Sequence, residues 1–149
     1  MANYIFDTNI VSILGRDDYT GNKLLDKISN LSNSDEIYIS ILTLYELTYG
    51  LKNCKNSYQK DEIEQNINFV KKYFKIIPLD LKETEIFAKL KVLYKNITGI
   101  TKKDAKKNDL DFLIASSAIA QDAILVSNDK LFKVLADNTN LKYENWIED

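Results

Sequence analysis

The sequence predicts an α/β fold built on a parallel sheet that helices cover on both faces. Three observations carry this. Short apolar strands alternate with helical segments along the whole chain, and two of the strands end in an acid that turns at once into a helix. No internal repeat, linker or low-complexity tract interrupts the pattern.

The first strand is Tyr4-Ile5-Phe6, all β-formers, and Ile10, Val11, Ile13 and Leu14 then continue as a helix that Thr8 or Asn9 can cap. Asp7 therefore sits at a strand's carboxyl end. Ligands of α/β proteins bind in the crevice outside those ends, which makes Asp7 a candidate functional acid; the alternative is that it merely caps the helix. Leu24, Leu25, Ile28 and Leu31 give residues 20–31 an amphipathic helical stripe, stopped by Ser32-Asn33-Ser34. Ile37-Tyr38-Ile39 is the second strand.

Residues 40–51 follow as a helix that is apolar nearly all round, with Gly50 near its end and Glu46 as its only acid. A carboxylate on such a helix is costly unless it is paired, hydrogen-bonded or metal-bound, or unless it lies on the one wet side. Residues 58–74 form a further helix with Ile63, Ile67, Val70 and Phe74 on one face. In the third strand, Lys75 to Leu79, Pro78 cannot donate a ladder hydrogen bond, so this strand belongs at a sheet edge.

Helix 82–96 turns Ile86, Phe87, Leu90, Leu93 and Tyr94 inward. After it comes a polar loop from Thr98 to Asn108 that carries Lys102, Lys103, Lys106 and Lys107. It delivers the chain to a second nearly all-apolar helix, from Asp109 to about Gln121. Asn108 or Asp109 can serve as its N-cap, which leaves Asp111 surplus to capping and so a candidate site residue. Ile124 to Ser127 is the fourth strand, followed by Asn128-Asp129 and a helix through Leu131, Phe132, Val134 and Leu135, repeating the arrangement around Asp7. A last short strand near Leu141 to Tyr143 leads to Trp146.

Composition narrows the chemistry. At 149 residues the chain fits one domain, residues 1–149, with 45% hydrophobic and 28% charged residues, an ordinary soluble balance. No basic start with an apolar run suggests a secretory signal, and no apolar stretch approaches the roughly 18 residues of a membrane helix, so a cytoplasmic protein is expected. Cys54 is the only cysteine, which excludes an internal disulfide and a Cys-based zinc cluster. The formal net charge of −2 argues against binding nucleic acid by general basicity. Any such contact needs a local lysine patch, since Arg16 is the only arginine. With no histidine, Ser-His and Cys-His catalysis and His-ligated zinc are excluded. Hydrolysis here has to run on carboxylates and hard metal ions.

Asp7 and Asp129 end strands that can be neighbours, and Glu46 and Asp111 lie on helices starting from the same sheet edge. Clustered carboxylates repel one another unless a cation is present, and oxygen-only ligands select Mg²⁺ or Mn²⁺. Such a site activates water and can position a phosphodiester for in-line attack.

Four motifs in order carry a family resemblance: Phe6-Asp7-Thr8-Asn9; Glu46-Leu47 with Gly50 after Ile39-Ser40; Asp111 with Ile114-Ala115; and Val126-Ser127-Asn128-Asp129 before Phe132. Together they resemble the PIN-domain ribonucleases, and within these the VapC-type toxins of toxin-antitoxin pairs. Ile77-Pro78-Leu79-Asp80 and a closing Glu144-Asn145-Trp146 extend the likeness over essentially the whole chain. The resemblance implies a three-layer fold around a five-stranded parallel sheet of order 3-2-1-4-5. It further implies a Mg²⁺- or Mn²⁺-dependent endoribonuclease acting on tRNA or rRNA, with Asp7, Glu46, Asp111 and Asp129 as the acidic, metal-holding set and Thr8 and Ser127 as supporting polar residues. A small VapB-like antitoxin as inhibitor and a homodimer are also implied. The chain departs from the family in its approach to Asp111, where Lys102, Lys103, Lys106 and Lys107 replace a weakly charged, Gly-rich loop; these lysines are candidate RNA contacts. Two rivals stand beside this reading: a catalytically idle PIN-like module that binds RNA or protein, and a PIN nuclease that acts on DNA.

Overall fold

A computed structural model describes residues 1–148. In chain order its elements are β1 (Asn3–Phe6), α1 (Thr8–Leu14), α2 (Tyr19–Ser29), β2 (Glu36–Ser40), α3 (Ile41–Asn53), α4 (Ser57–Tyr73) and β3 (Lys75–Ile77). They continue as α5 (Glu83–Thr98), α6 (Lys102–Lys106), α7 (Asp109–Ala120), β4 (Ile124–Val126), α8 (Lys130–Asn138) and β5 (Lys142–Glu144). All strand pairs are parallel, and the sheet order is β3-β2-β1-β4-β5, as the resemblance implies. The third strand lies at an edge as expected, but it is shorter than the expected Lys75 to Leu79: it ends at Ile77, so Pro78 falls just beyond the ladder rather than within it.

Alternation along the strands builds two cores. Phe6, Ile39 and Val126 face a cluster with Val11, Leu24, Val70, Phe74 and Trp146. Ile5 and Leu125 face the other, with Leu90, Phe112, Ile114, Phe132 and Leu135. Both faces of the sheet are therefore covered, and apolar strands without polar alternation are the consequence. One step further along β1, β2 and β4, the residues Asp7, Ser40 and Ser127 form a buried polar row at the carboxyl edge. By the same alternation it lies on the Ile5 side, the side covered by α5 and α7.

Several local expectations are corrected. Residues 98–108 are not loop throughout, because Thr101 accepts a hydrogen bond from the Asp104 amide through its hydroxyl and starts the short helix α6. The helix after β1 is capped by Asp7 and not by Thr8 or Asn9. At the start of α7 Asn108 occupies the cap position without a side-chain hydrogen bond, and Asp109 is inside the helix. The helix bearing Glu46 is also less buried than its composition suggests: Thr43 and Leu47 are covered, whereas Ile41, Tyr45 and Tyr49 are exposed.

Candidate active site

Asp7 is 4% exposed and is held through both oxygens. Its Oδ1 accepts from the Ile10 amide at 3.0 Å, which caps α1, and its Oδ2 accepts from the Ser127 hydroxyl at 2.6 Å. Ser127 Oγ in turn accepts from the Asp129 amide at 3.0 Å, and Asp129 Oδ1 caps α8 through the Leu131 amide. One hydroxyl thus ties the acid at the end of β1 to the turn after β4. Across the sheet the Thr8 hydroxyl donates to Glu46 Oε1 at 2.6 Å and lies 3.3 Å from the Thr43 hydroxyl. The capping alternative for Asp7 is realised on Oδ1, while Oδ2 is held by the Ser127 hydroxyl.

Asp111 differs from the other three: among the described residues nothing donates a hydrogen bond to it. Burial, then the charges of Asp129, Glu46 and Asp7, push its carboxyl up to about 7. Burial also raises Asp7, against the pull of the Ser127 and Ile10 hydrogen bonds, and the charges of Asp129 and Glu46 add to the rise. The four predicted acids therefore share one electrostatic neighbourhood. No Lys or Arg among the described residues forms an ion pair with any of them. Nor do any three Asp, Glu or Cys side chains among those residues converge tightly enough to cage an ion by themselves. The expectation of clustered carboxylates is narrowed accordingly: they share a field without closing into a cage. An open, oxygen-only set without a neutralising cation fits Mg²⁺ or Mn²⁺, which keep part of their water shell and bind through few carboxylates.

The remaining candidates fall outside this centre. Lys102, Lys103, Lys106 and Lys107 are exposed on or just after α6, with Lys107 drawn to Asp104 at 3.6 Å. Asp109 is engaged elsewhere, by Lys91 Nζ of α5 at 2.8 Å, an ion pair without hydrogen-bond geometry. Asp109→Asn is accordingly expected to cost the value of that half-exposed pair, about 0.5–1 kcal/mol in a urea melt, and to leave the chemistry of the site untouched.

Sequence reasoning missed two neighbours of the centre. Thr43 lies one helical turn before Glu46, a spacing that could have found it. Tyr143 lies on β5, the strand beside β4; burial, then the charges of Glu148, Asp7 and Asp129, hold its phenol up. A third unforeseen group, Glu83, is 1% exposed and accepts from the Ser117 hydroxyl at 2.6 Å. It sits where α5 begins and α7 ends, at the opposite end of α7 from Asp111.

Comparison with known proteins decides the family. The PIN domain model matches residues 4–138. The chain belongs to the PIN-domain family. Among its relatives is Ribonuclease VapC2 of Rickettsia felis, 32% identical over 148 residues, covering 96% of this chain and 97% of that protein. Ribonuclease VapC of Rickettsia bellii is 31% identical over 132 residues, 87% of each chain. Among solved structures, the Rickettsia felis VapBC2 complex on a promoter DNA fragment is similar with a TM-score of 0.77 and 28% identity, over 97% of this chain and 98% of that one. VapBC-1 of nontypeable Haemophilus influenzae shares the fold at a TM-score of 0.74 and 20% identity, over 98% and 99%. In this PIN domain no helix among the described residues is long and apolar enough to cross a membrane.

Proposed function

We propose that this PIN domain is a Mg²⁺- or Mn²⁺-dependent endoribonuclease and the toxin of a toxin-antitoxin pair, cleaving tRNA or rRNA in the cytoplasm. The observation that carries the reading is the mutual charge of Asp7, Glu46, Asp111 and Asp129, which no Lys or Arg ion pair balances among the described residues. Its family setting supports it, since curated relatives over 30% identical bear the name ribonuclease VapC.

A divalent cation held by these carboxylates supplies Lewis-acid activation of water and neutralises charge on the phosphate. The chain does the positioning. Ser127 and the Ile10 amide fix the Asp7 carboxylate, and Thr8 fixes Glu46, so both present oxygens at set angles. Asp111, without a hydrogen-bond donor, keeps its lone pairs available. Lys102, Lys103, Lys106 and Lys107 then offset the negative centre for an incoming phosphate chain.

For the partner, a VapB-like antitoxin, a groove of about 890 Å³ is available where the end of α1 meets α4. Its lining combines apolar Leu14, Leu47, Ile63 and Phe69 with acidic Asp17, Asp61 and Glu62, while Arg16 in the same lining is paired with Asp18. It suits an apolar segment with basic flanks. A homodimer completes the proposed assembly.

Cleavage of matched RNA and DNA strands in Mg²⁺, Mn²⁺ and chelator tests the proposal. RNA cut only with metal is the expected result. Binding without cutting returns the idle module, and cutting of DNA alone returns the DNA nuclease. Replacing Lys102, Lys103, Lys106 and Lys107 with Ser is expected to weaken RNA binding. The log-log salt slope should fall by up to about 0.7 for each phosphate that a lysine no longer neutralises. An unchanged slope reduces those lysines to a solvated helix.

A further inference from the structure

Glu83 is an acid that the proposed chemistry does not use, and it is 1% exposed. Its Oε2 accepts from the Ser117 hydroxyl at 2.6 Å, and its Oε1 has no hydrogen-bond partner among the described residues. A buried carboxyl with a single hydrogen bond costs stability relative to an apolar side chain of the same volume. What such a group adds is direction, because its bond breaks when the partner moves, whereas apolar packing tolerates a slide.

Helix α7 needs such a tie. Its covered residues include Ala115, Ser116, Ser117 and Ala118, so much of its buried surface is smooth, with few ridges to lock it in one axial setting against α5. Near the start of α7 the Lys91–Asp109 pair is partly open to water and yields to a slide. Asp111 accepts no hydrogen bond among the described residues, so its place is set by that of α7 alone. Ser117 and Asp111 are six residues apart, about 9 Å along one rigid helix, and a shift at Ser117 reaches Asp111 undiminished.

We propose that Glu83, through Ser117, is a positioning residue for Asp111: it sets the axial register of α7 against α5 and so holds the Asp111 carboxyl where it shares a cation with Asp7, Glu46 and Asp129. The inference rests on the reading of these four acids as one metal centre and adds to it a residue at the far end of α7.

The test turns on a double variant, Glu83→Leu with Ser117→Ala, which replaces both partners by apolar groups and leaves no polar atom of the pair buried alone. It should unfold in urea at or above the midpoint of the unsubstituted chain. In calorimetric titrations it should nonetheless bind Mn²⁺ on the order of tenfold more weakly, the loss expected when a metal ligand loses its outer support. RNA cleavage should fall in kcat by up to about a hundredfold with KM unchanged, because a small misplacement of a reacting group has that effect and the lysines are untouched. Glu83→Gln keeps an acceptor for the Ser117 hydroxyl and should keep most of the Mn²⁺ affinity. Register is also read without metal, as amide chemical shifts of residues 109–113 in chelator, which should move in the double variant and stay in Glu83→Gln.

Native Mn²⁺ affinity or native shifts at residues 109–113 in a folded double variant overturns the proposal and leaves Glu83 a packing residue. So does a loss in Glu83→Gln as large as in the double variant. If the double variant does not fold, Ser117→Ala in the same titration and spectra decides. If the unsubstituted chain binds no Mn²⁺, the metal-centre reading fails by itself, and the shifts decide the positioning alone.

Discussion

Asp111→Asn should melt at a higher temperature than the unsubstituted chain in chelator above pH 7, although most substitutions destabilise. The Asp111 carboxyl is pushed up from 3.8 to about 7, so between those values the folded chain holds a proton that the unfolded chain has released. Stability then falls as pH rises through this window and stays low above it. In a dry site a shift of this size is worth roughly 4 kcal/mol; with Asp111 partly open to water, about half of that is the reasonable expectation. The amide removes the charge and with it the penalty. The advantage should shrink towards nothing by about pH 4, where both chains are neutral at this position. Added Mg²⁺ or Mn²⁺ should stabilise the unsubstituted chain, by about 2.7 kcal/mol at a hundredfold excess over the dissociation constant, and the variant much less. Thermal melts across pH, with and without metal, read all of this without any substrate. A variant that melts lower at pH 8 and gains as much from metal would show that the four acids do not act as one centre.

Asp7→Asn is expected to leave the fold intact and to lower RNA cleavage by at least about a hundredfold. That is the upper range for losing a group that merely orients a metal ligand, and Asp7 is proposed as a ligand itself. The fold should survive because the amide oxygen can still accept from Ile10, and Asn caps helices about as well as Asp. What the variant lacks is the second anionic oxygen that Ser127 now holds at 2.6 Å. Circular dichroism and a urea melt check the first half, and a metal-dependent cleavage assay the second. Near-normal cleavage would remove Asp7 from the site and the proposed function with it.

Strand positions, sheet-edge placement of the Pro78 strand and the four candidate acids were legible in the sequence, because each follows from something local. Apolar runs with helical segments between them set the layers, and the edge expected for the third strand holds although Pro78 itself falls just beyond its end. A carboxylate next to a strand end stands out for the same reason. What the chain could not show locally is which acid bears the strain. Asp7 meets Ser127 across 120 residues and Thr8 meets Glu46 across 38, and only those contacts leave Asp111 as the acid without a donor. The same holds for Asp109, which looked like a helix cap until α5 brought Lys91 against it. It holds for α3 too, whose apolar composition read as burial although one stripe of it, with Tyr45 and Tyr49, stays in water. The local sequence sets backbone preference and residue type; the energy of a charge or a ring depends on its surroundings, and those are assembled only when distant segments pack.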